Sequence, residues 1–161
     1  MKTPYRMVFV CLGNICRSPM AESVMADRLA RGGLARDVEI ASAGTGGWHV
    51  GDGADRRAVS ALSGRGYRTA HRARQFRPAD FAEFDLVVAL DEDNERDLRR
   101  LAPGAEAAAK IRLLRSFDPS ADGDVDIPDP YYGTPEDFEE ALDLIEAACD
   151  GLTAWIRQEM A

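Results

Sequence analysis

A junction near the start of the chain constrains the fold more than any other feature. Met7 to Cys11 is short, apolar and partly β-branched, the pattern of a buried strand. A turn follows, Leu12-Gly13-Asn14-Ile15-Cys16-Arg17-Ser18, and Pro19 then opens a helix. Ser18 is the expected N-cap, with Pro19 at the first helical position. Ala21, Val24, Met25 and Leu29 supply a helix-spaced apolar face, and Gly32-Gly33 ends it. A strand that feeds a helix through a short turn is half of a parallel-sheet unit.

The rest of the chain repeats that alternation. Val38 to Ser42 reads as a second strand, Asp55 to Ser63 as a helix, and Asp85 to Leu90 as a buried strand. A polar helix follows from about Asp91 to Leu101, and Lys110 to Leu114 reads as a fourth strand. A long acidic loop, Asp118 to Gly133, leads to a last helix. Its stripe is Phe138, Ala141, Leu142, Ile145, Cys149, Leu152, Trp155 and Ile156. The expected fold is α/β: an open parallel sheet of about four strands with helices on both faces. A length of 161 residues, 45% hydrophobic and 30% charged, fits one domain spanning residues 1–161. Ligands in such folds bind at the carboxyl ends of strands, which puts the Cys11–Ser18 turn at the expected site.

Charge and cysteine usage narrow the function. A net charge of −8 argues against nucleic-acid partners, which need a basic face. Three cysteines, two of them at Cys11 and Cys16, do not make a disulfide framework. Residues Met1 to Arg6 lack the apolar run of a signal peptide, and no span suits a membrane. A reducing cytoplasm is the expected compartment. No His/Cys cluster has metal-ligand spacing, so no metal or cofactor is expected. Asp118, Ser120, Asp122, Gly123, Asp124, Asp126 and Asp129 roughly match a calcium-loop spacing. The twelfth position is Asp rather than Glu, and Pro128 and Pro130 oppose an exiting helix. The segment is therefore read as solvated acidic surface. Asp55, Arg56 and Arg57 are read as an exposed helix start, and His49 as ordinary surface.

The turn after the first strand has the parts of an anion site. Its backbone N–H groups and a helix N-terminus converge on one point. Gly13 tolerates unusual backbone conformations. The planar fork of Arg17 can grip two phosphate oxygens. A Cys11 thiolate at the bottom can attack phosphorus. Free cysteine is only about 3% thiolate at pH 7. A helix dipole contributes about 0.3–1 kcal/mol, less than one decade of thiolate. The loop amides, Arg17 and the Ser18 hydroxyl must therefore supply most of the stabilisation.

Val10-Cys11-Leu12-Gly13-Asn14-Ile15-Cys16-Arg17-Ser18-Pro19-Met20-Ala21-Glu22 resembles the signature of the low-molecular-weight protein tyrosine phosphatases. Ser42-Ala43-Gly44-Thr45 resembles that family's second block and Asp129-Pro130-Tyr131-Tyr132-Gly133 its third. The similarity covers nearly the whole chain in order and spacing. It implies a metal-free hydrolase acting on phosphotyrosyl proteins or peptides and releasing inorganic phosphate. Cys11 would be the nucleophile and Arg17 the phosphate grip. Asp129 would be the general acid, and then the base for the water that frees phosphate from the cysteine. Leu12, Gly13, Asn14, Ile15, Cys16 and Ser18 would line the phosphate. Trp48, Tyr131 and Tyr132 would wall a deep cleft around the ring. Asn14, Ser18, Ser42 and His71 would support the loop. The resemblance also implies a reversible Cys11–Cys16 pairing under oxidation. Read by itself, Cys16 is a small buried residue beside the loop, and both readings stay open. Tyr131 and Tyr132 resemble tyrosines that are themselves phosphorylated in some members. Cys149, on the apolar stripe, is read as core.

Three other activities fit the residues less well. Arsenate reductase chemistry needs resolving cysteines near Asp85–Asp93, and none is there. Arginine-directed members of the family resemble Thr at the loop position before the second cysteine, where this chain has the apolar Ile15. A non-catalytic phosphotyrosine-binding module would tolerate loss of the nucleophile or the acid, and both residues are present.

Overall fold

The computed structural model describes residues 3–161. Met1 and Lys2, part of the segment read as lacking a leader, lie outside the described residues. Four strands, β1 (Tyr5–Cys11), β2 (Val38–Gly44), β3 (Leu86–Ala89) and β4 (Ile111–Leu113), form one parallel sheet in the order β2-β1-β3-β4. The central strand β1 is buried along Met7–Cys11, so its run of apolar residues needs no polar alternation. Alternate side chains serve opposite faces. Met7, Phe9 and Cys11 join a core with α1 (Arg17–Arg31), α2 (Arg56–Gly64) and α5 (Pro135–Glu159). Val8 and Val10 join a second core with Phe76, Phe81 and Leu98, the last on α3 (Glu92–Leu101). A short α4 (Ala105–Ala108) leads into β4. The sheet is thus covered on both faces, as the alternation of strands and helices required.

The longest helix, α5, starts where the chain chemistry says it should. Thr134 and Asp137 form a reciprocal capping box, with Pro135 in the first turn. Its stripe is buried as expected from Phe138 to Ile156, except that Trp155 is only half-buried and rests on Phe117 at a centroid distance of 5.2 Å. Gly151 lies mid-helix because the backbone of Phe117 crosses there: a Cβ would meet the Phe117 carbonyl oxygen at 1.8 Å. Cys149 is fully buried on this stripe. No helix among the described residues is long and apolar enough to cross a membrane.

Three local expectations are corrected. Ser18 does not cap α1; the helix begins at Arg17, Cys16 holds the cap position, and no side chain caps it. The left-handed conformation in the turn belongs to Asn14 (φ 57°), not Gly13. Gly13 instead leaves room for His49: a Cβ there would lie 3.2 Å from the ring, which would have to shift by a few tenths of an ångström. The acidic loop is not uniformly solvated either. Asp118 is buried and accepts from Ser120, Asp124 pairs with Arg115 at 3.0 Å, and Asp126 accepts from the Glu92 amide at 2.9 Å.

Candidate active site

The turn from Cys11 to Arg17 lies at the carboxyl end of β1, with β2 on one side and β3 on the other, the point where the strand order reverses. Its carbonyls are engaged outward. Cys11 and Leu12 accept from Thr45 and Gly46 (both 2.9 Å), Asn14 from His71 Nε2 (2.5 Å), Ile15 from the Asp55 amide (2.8 Å), and Cys16 from Met20 (3.2 Å). In a trans peptide the N–H points opposite to the carbonyl before it. The N–H groups of Leu12, Gly13, Ile15, Cys16 and Arg17 are therefore turned the other way, a concave set suited to an anion. Gly44 makes the arrangement possible. A Cβ there would lie 2.7 Å from the Leu12 carbonyl oxygen, so only glycine lets β2 approach the turn this closely.

Cys11 is 3% exposed, and its Sγ lies 2.9 Å from Ser18 Oγ. The polarity of that contact follows from the network behind it. The Arg74 backbone N–H can only donate, and it reaches Asn14 Oδ1 at 2.9 Å, which fixes the amide's orientation. Asn14 Nδ2 then donates to Ser18 Oγ (2.8 Å) and Ser42 Oγ (3.1 Å). With its oxygen accepting from Asn14, the Ser18 hydroxyl has its own hydrogen to donate to the sulfur. Ser42 passes its hydrogen on to Glu22 Oε1 at 2.6 Å. Asn14, Ser18, Ser42 and His71, expected to support the turn, are thus brought together around it. Glu22 extends the network beyond these four residues.

Arg17 is buried, and its guanidinium is held from three sides. Nη1 donates to Asp91 Oδ2 (2.6 Å) and to the Ile127 carbonyl (2.8 Å), while Nη2 lies 3.5 Å from Asp129 Oδ2. Burial opposes the charge, but Cys11 and Asp91 beside it outweigh burial and hold Arg17 above its usual range. Asp91 does two jobs, since its other oxygen caps α3 through the Asn94 amide at 2.7 Å. Of the two cysteines in the turn, Cys16 is held as a thiol: burial first, then the Asp55 charge, pushes it well up.

These groups open onto a cleft of about 310 Å³. The buried Cys11, Arg17, Ile15 and Cys16 lie at its floor with Gly13, and the exposed Leu12, with Asp129, Trp48, Tyr131 and Tyr132, lines it further out. His49, read as ordinary surface, also lines it, and its ring centroid lies 6.3 Å from that of Tyr131. Trp48 is 73% exposed and Tyr132 97%, so both form the rim rather than the wall. Asp129 is exposed, and its Oδ1 accepts from the Tyr131 amide at 3.1 Å. Arg56 is exposed as expected for a helix start. Asp55 and Arg57 are not, because they bind each other, and Arg57 also reaches the turn that follows Asp129.

A sequence model of the family described as "Low molecular weight phosphotyrosine protein phosphatase" matches residues 6–161. The chain belongs to this low-molecular-weight phosphotyrosine phosphatase family. A "Low molecular weight protein-tyrosine-phosphatase" of Streptomyces coelicolor is 56% identical over 157 residues, covering 97% of this chain and 96% of the relative. "Low molecular weight protein-tyrosine phosphatase A" of Mycobacterium tuberculosis is 50% identical over 162 residues, covering 100% and 97%. The family fold is equally plain in three dimensions. A crystal structure of the protein tyrosine phosphatase from Entamoeba histolytica, with Hepes in its active site, superposes with a TM-score of 0.92. It is 34% identical and covers 98% of this chain and 99% of its own. Asp91, Glu22, His49 and Arg57 were not marked as site residues from the sequence of this phosphatase-family chain. Asp91, His49 and Arg57 meet the turn or the Asp129 loop only across long stretches of chain, and Glu22, although it closes the signature segment, meets Ser42 twenty residues away.

Proposed function

We propose that this chain hydrolyses phosphotyrosine in proteins or peptides through a metal-free, two-step transfer at Cys11. The observation that carries the reading is the cleft itself. A sulfur in contact with a hydroxyl sits at its floor under a concave set of amides, Arg17 lies beside it, and a carboxylate and aromatic rings stand above. In the first step the Cys11 thiolate attacks phosphorus, forming an S–P bond as the P–O bond to the phenol breaks. Arg17 and the turn amides hold the equatorial oxygens, where charge is spread in the transition state. Asp129 gives its proton to the departing phenolate, a poor leaving group whose phenol titrates near about 10. In the second step Asp129 takes a proton from water. The water oxygen bonds to phosphorus, the S–P bond breaks, and inorganic phosphate leaves with the thiolate restored.

Ile15, Tyr131 and Tyr132 give the cleft an apolar, aromatic lining, which favours a phenyl ring over a guanidinium and a long substrate over phosphoserine. Residues 1–161 form one catalytic domain in this reading. The three free thiols suit a reducing cytoplasm, and the acidic net charge argues against nucleic-acid partners. The test is phosphate release from a phosphotyrosyl peptide in the presence of EDTA, for the wild type and Cys11→Ser. Turnover that disappears in the variant is expected. A reduced wild-type protein that releases no phosphate would remove tyrosine phosphatase activity from consideration.

A further inference from the structure

The geometry points to Arg57 as the residue that positions the proton donor, through a strap joining the phosphate turn to the loop that carries Asp129. This inference rests on the reading of Asp129 as general acid. The strap has two ends. At one end the Asp55 backbone N–H donates to the Ile15 carbonyl of the phosphate turn at 2.8 Å. At the other, the Arg57 guanidinium reaches across to the acid loop. Its Nη2 donates to the Tyr131 carbonyl (2.9 Å) and its Nη1 to the Gly133 carbonyl (3.2 Å). Between the ends, Asp55 grips the same guanidinium, accepting from Nε at 3.1 Å and Nη2 at 3.0 Å. Four of the five guanidinium N–H bonds are thereby used, each in the plane of the fork.

The plane itself is fixed. The guanidinium carbon lies 4.5 Å from the centroid of Phe138, a fully buried ring on α5, and 5.8 Å from that of Tyr131. The acid loop, in turn, has its own internal geometry. The Gly133 amide closes a turn onto Pro130 (2.8 Å), and the Tyr131 amide donates to Asp129 Oδ1 (3.1 Å). Tyr131 is therefore held by both of its backbone groups: its carbonyl to Arg57, its N–H to the carboxylate. Arg57 does not line the cleft. It fixes the Tyr131–Tyr132 peptide through its carbonyl, and the adjoining Pro130–Tyr131 peptide, whose N–H meets Asp129 Oδ1, sets which oxygen of Asp129 faces the leaving group. The side chain of Asp129 is 44% exposed, and its polar contacts are the Tyr131 amide at 3.1 Å and the 3.5 Å approach to Arg17, so the strap bears on one of the two contacts that orient it.

A positioning role for the acid leaves a signature that general loosening does not: the defect grows with the need for a proton. The measurement is kcat/KM, which reads the steps up to loss of the phenol, on phosphotyrosine and on a nitrophenyl phosphate whose more acidic phenol departs with little help. Wild type, Arg57→Met, Asp55→Asn and Asp129→Asn are compared, with the rate of Cys11 alkylation by iodoacetate as a check on the phosphate turn. Arg57→Met keeps the apolar stem, and Asp55→Asn keeps the N-cap of α2. The expected result for Arg57→Met is a fall of about tenfold or more on phosphotyrosine, part of the range ascribed to a general acid. The fall on the nitrophenyl ester should be several-fold smaller, and alkylation should match wild type. Asp55→Asn should show the same pattern, weaker, and decides the matter alone if Arg57→Met does not fold. Equal losses on both esters, or no loss on either, would overturn the strap. If Asp129→Asn itself leaves phosphotyrosine turnover intact, the reading of the acid fails and the strap with it. An impaired Asp129→Asn beside unimpaired Arg57→Met and Asp55→Asn rejects the strap alone.

Discussion

Ser18 shows how much a single hydroxyl can be asked to do. Its place after the turn and before Pro19 is that of a helix cap, yet its Oγ lies against Cys11 Sγ, and α1 begins uncapped. Losing the cap leaves first-turn N–H groups of α1 for an anion, and losing Ser18 from the sulfur would leave the thiolate one donor short. Hydrogen bonds to charged groups contribute about 1.5–3 kcal/mol. Ser18→Ala is therefore expected to lower kcat by about 10- to 100-fold and to slow alkylation of Cys11 at pH 6 by a similar factor. An unchanged alkylation rate would show that the hydroxyl does not stabilise the thiolate. Local chemistry made Cys11, Arg17 and Ser18 legible in the sequence. It misassigned Gly13 because the sequence cannot say whether a glycine supplies a backbone angle or an absent side chain. Here Asn14 takes the angle and Gly13 makes room for His49.

At the scale of elements, every strand and every helix longer than one turn was legible from apolar period and turn residues, with ends shifted by a few residues. What was missed is α4 and the 3-10 turns at Pro78–Ala82 and Leu114–Phe117. Segments of four or five residues are too short to display a period. Crossings between elements were equally invisible. Gly151 interrupts a strong helical pattern, where glycine ordinarily costs about 0.5–1 kcal/mol relative to alanine. The Phe117 carbonyl 1.8 Å from the missing Cβ reverses that preference, because backbone cannot swing aside. Gly151→Ala should destabilise the protein by about 1–3 kcal/mol in chemical denaturation. A stabilised variant would contradict the close crossing. The N-cap of α2 makes a pH prediction. Arg57 hydrogen bonds hold the Asp55 carboxyl below its ordinary range. A depressed carboxyl stabilises the fold above its unfolded pKa, about 3.9, and that contribution is lost as pH falls further. Thermal stability of Asp55→Asn should therefore converge towards that of the wild type below about pH 4. A gap that stays constant with pH would show that the ion pair is not its source.

For the molecule as a whole, the informative quantity is the response to its expected product. If inorganic phosphate binds the native turn and not the unfolded chain, a concentration of 100 times Kd stabilises by about 2.7 kcal/mol. For a chain of this size each kcal/mol moves Tm by about 2–4 °C, so a rise of about 5–10 °C is expected. Arg17→Met should abolish most of it, and an equal rise in that variant would place the phosphate elsewhere. Global features were read correctly from alternation and composition: sheet direction, helices on both faces, and a site at the end of the first strand. Contacts that cross the chain were not. Arg17 meets Asp91 and Ile127 at sequence separations of 74 and 110 residues, and nothing local announces either partner.

The outward anchoring of the turn carbonyls has a consequence for timing. Thr45, Gly46, His71, Asp55 and Met20 hold five successive or near-successive peptide groups before any anion arrives. Capture of a phosphoryl group then requires no folding of the loop around it, and the ordering entropy that flexible anion-binding loops lose on binding is already spent in the folding of the protein. Association should proceed in one kinetic phase, at a rate that rises linearly with ligand concentration and does not plateau at a conformational step.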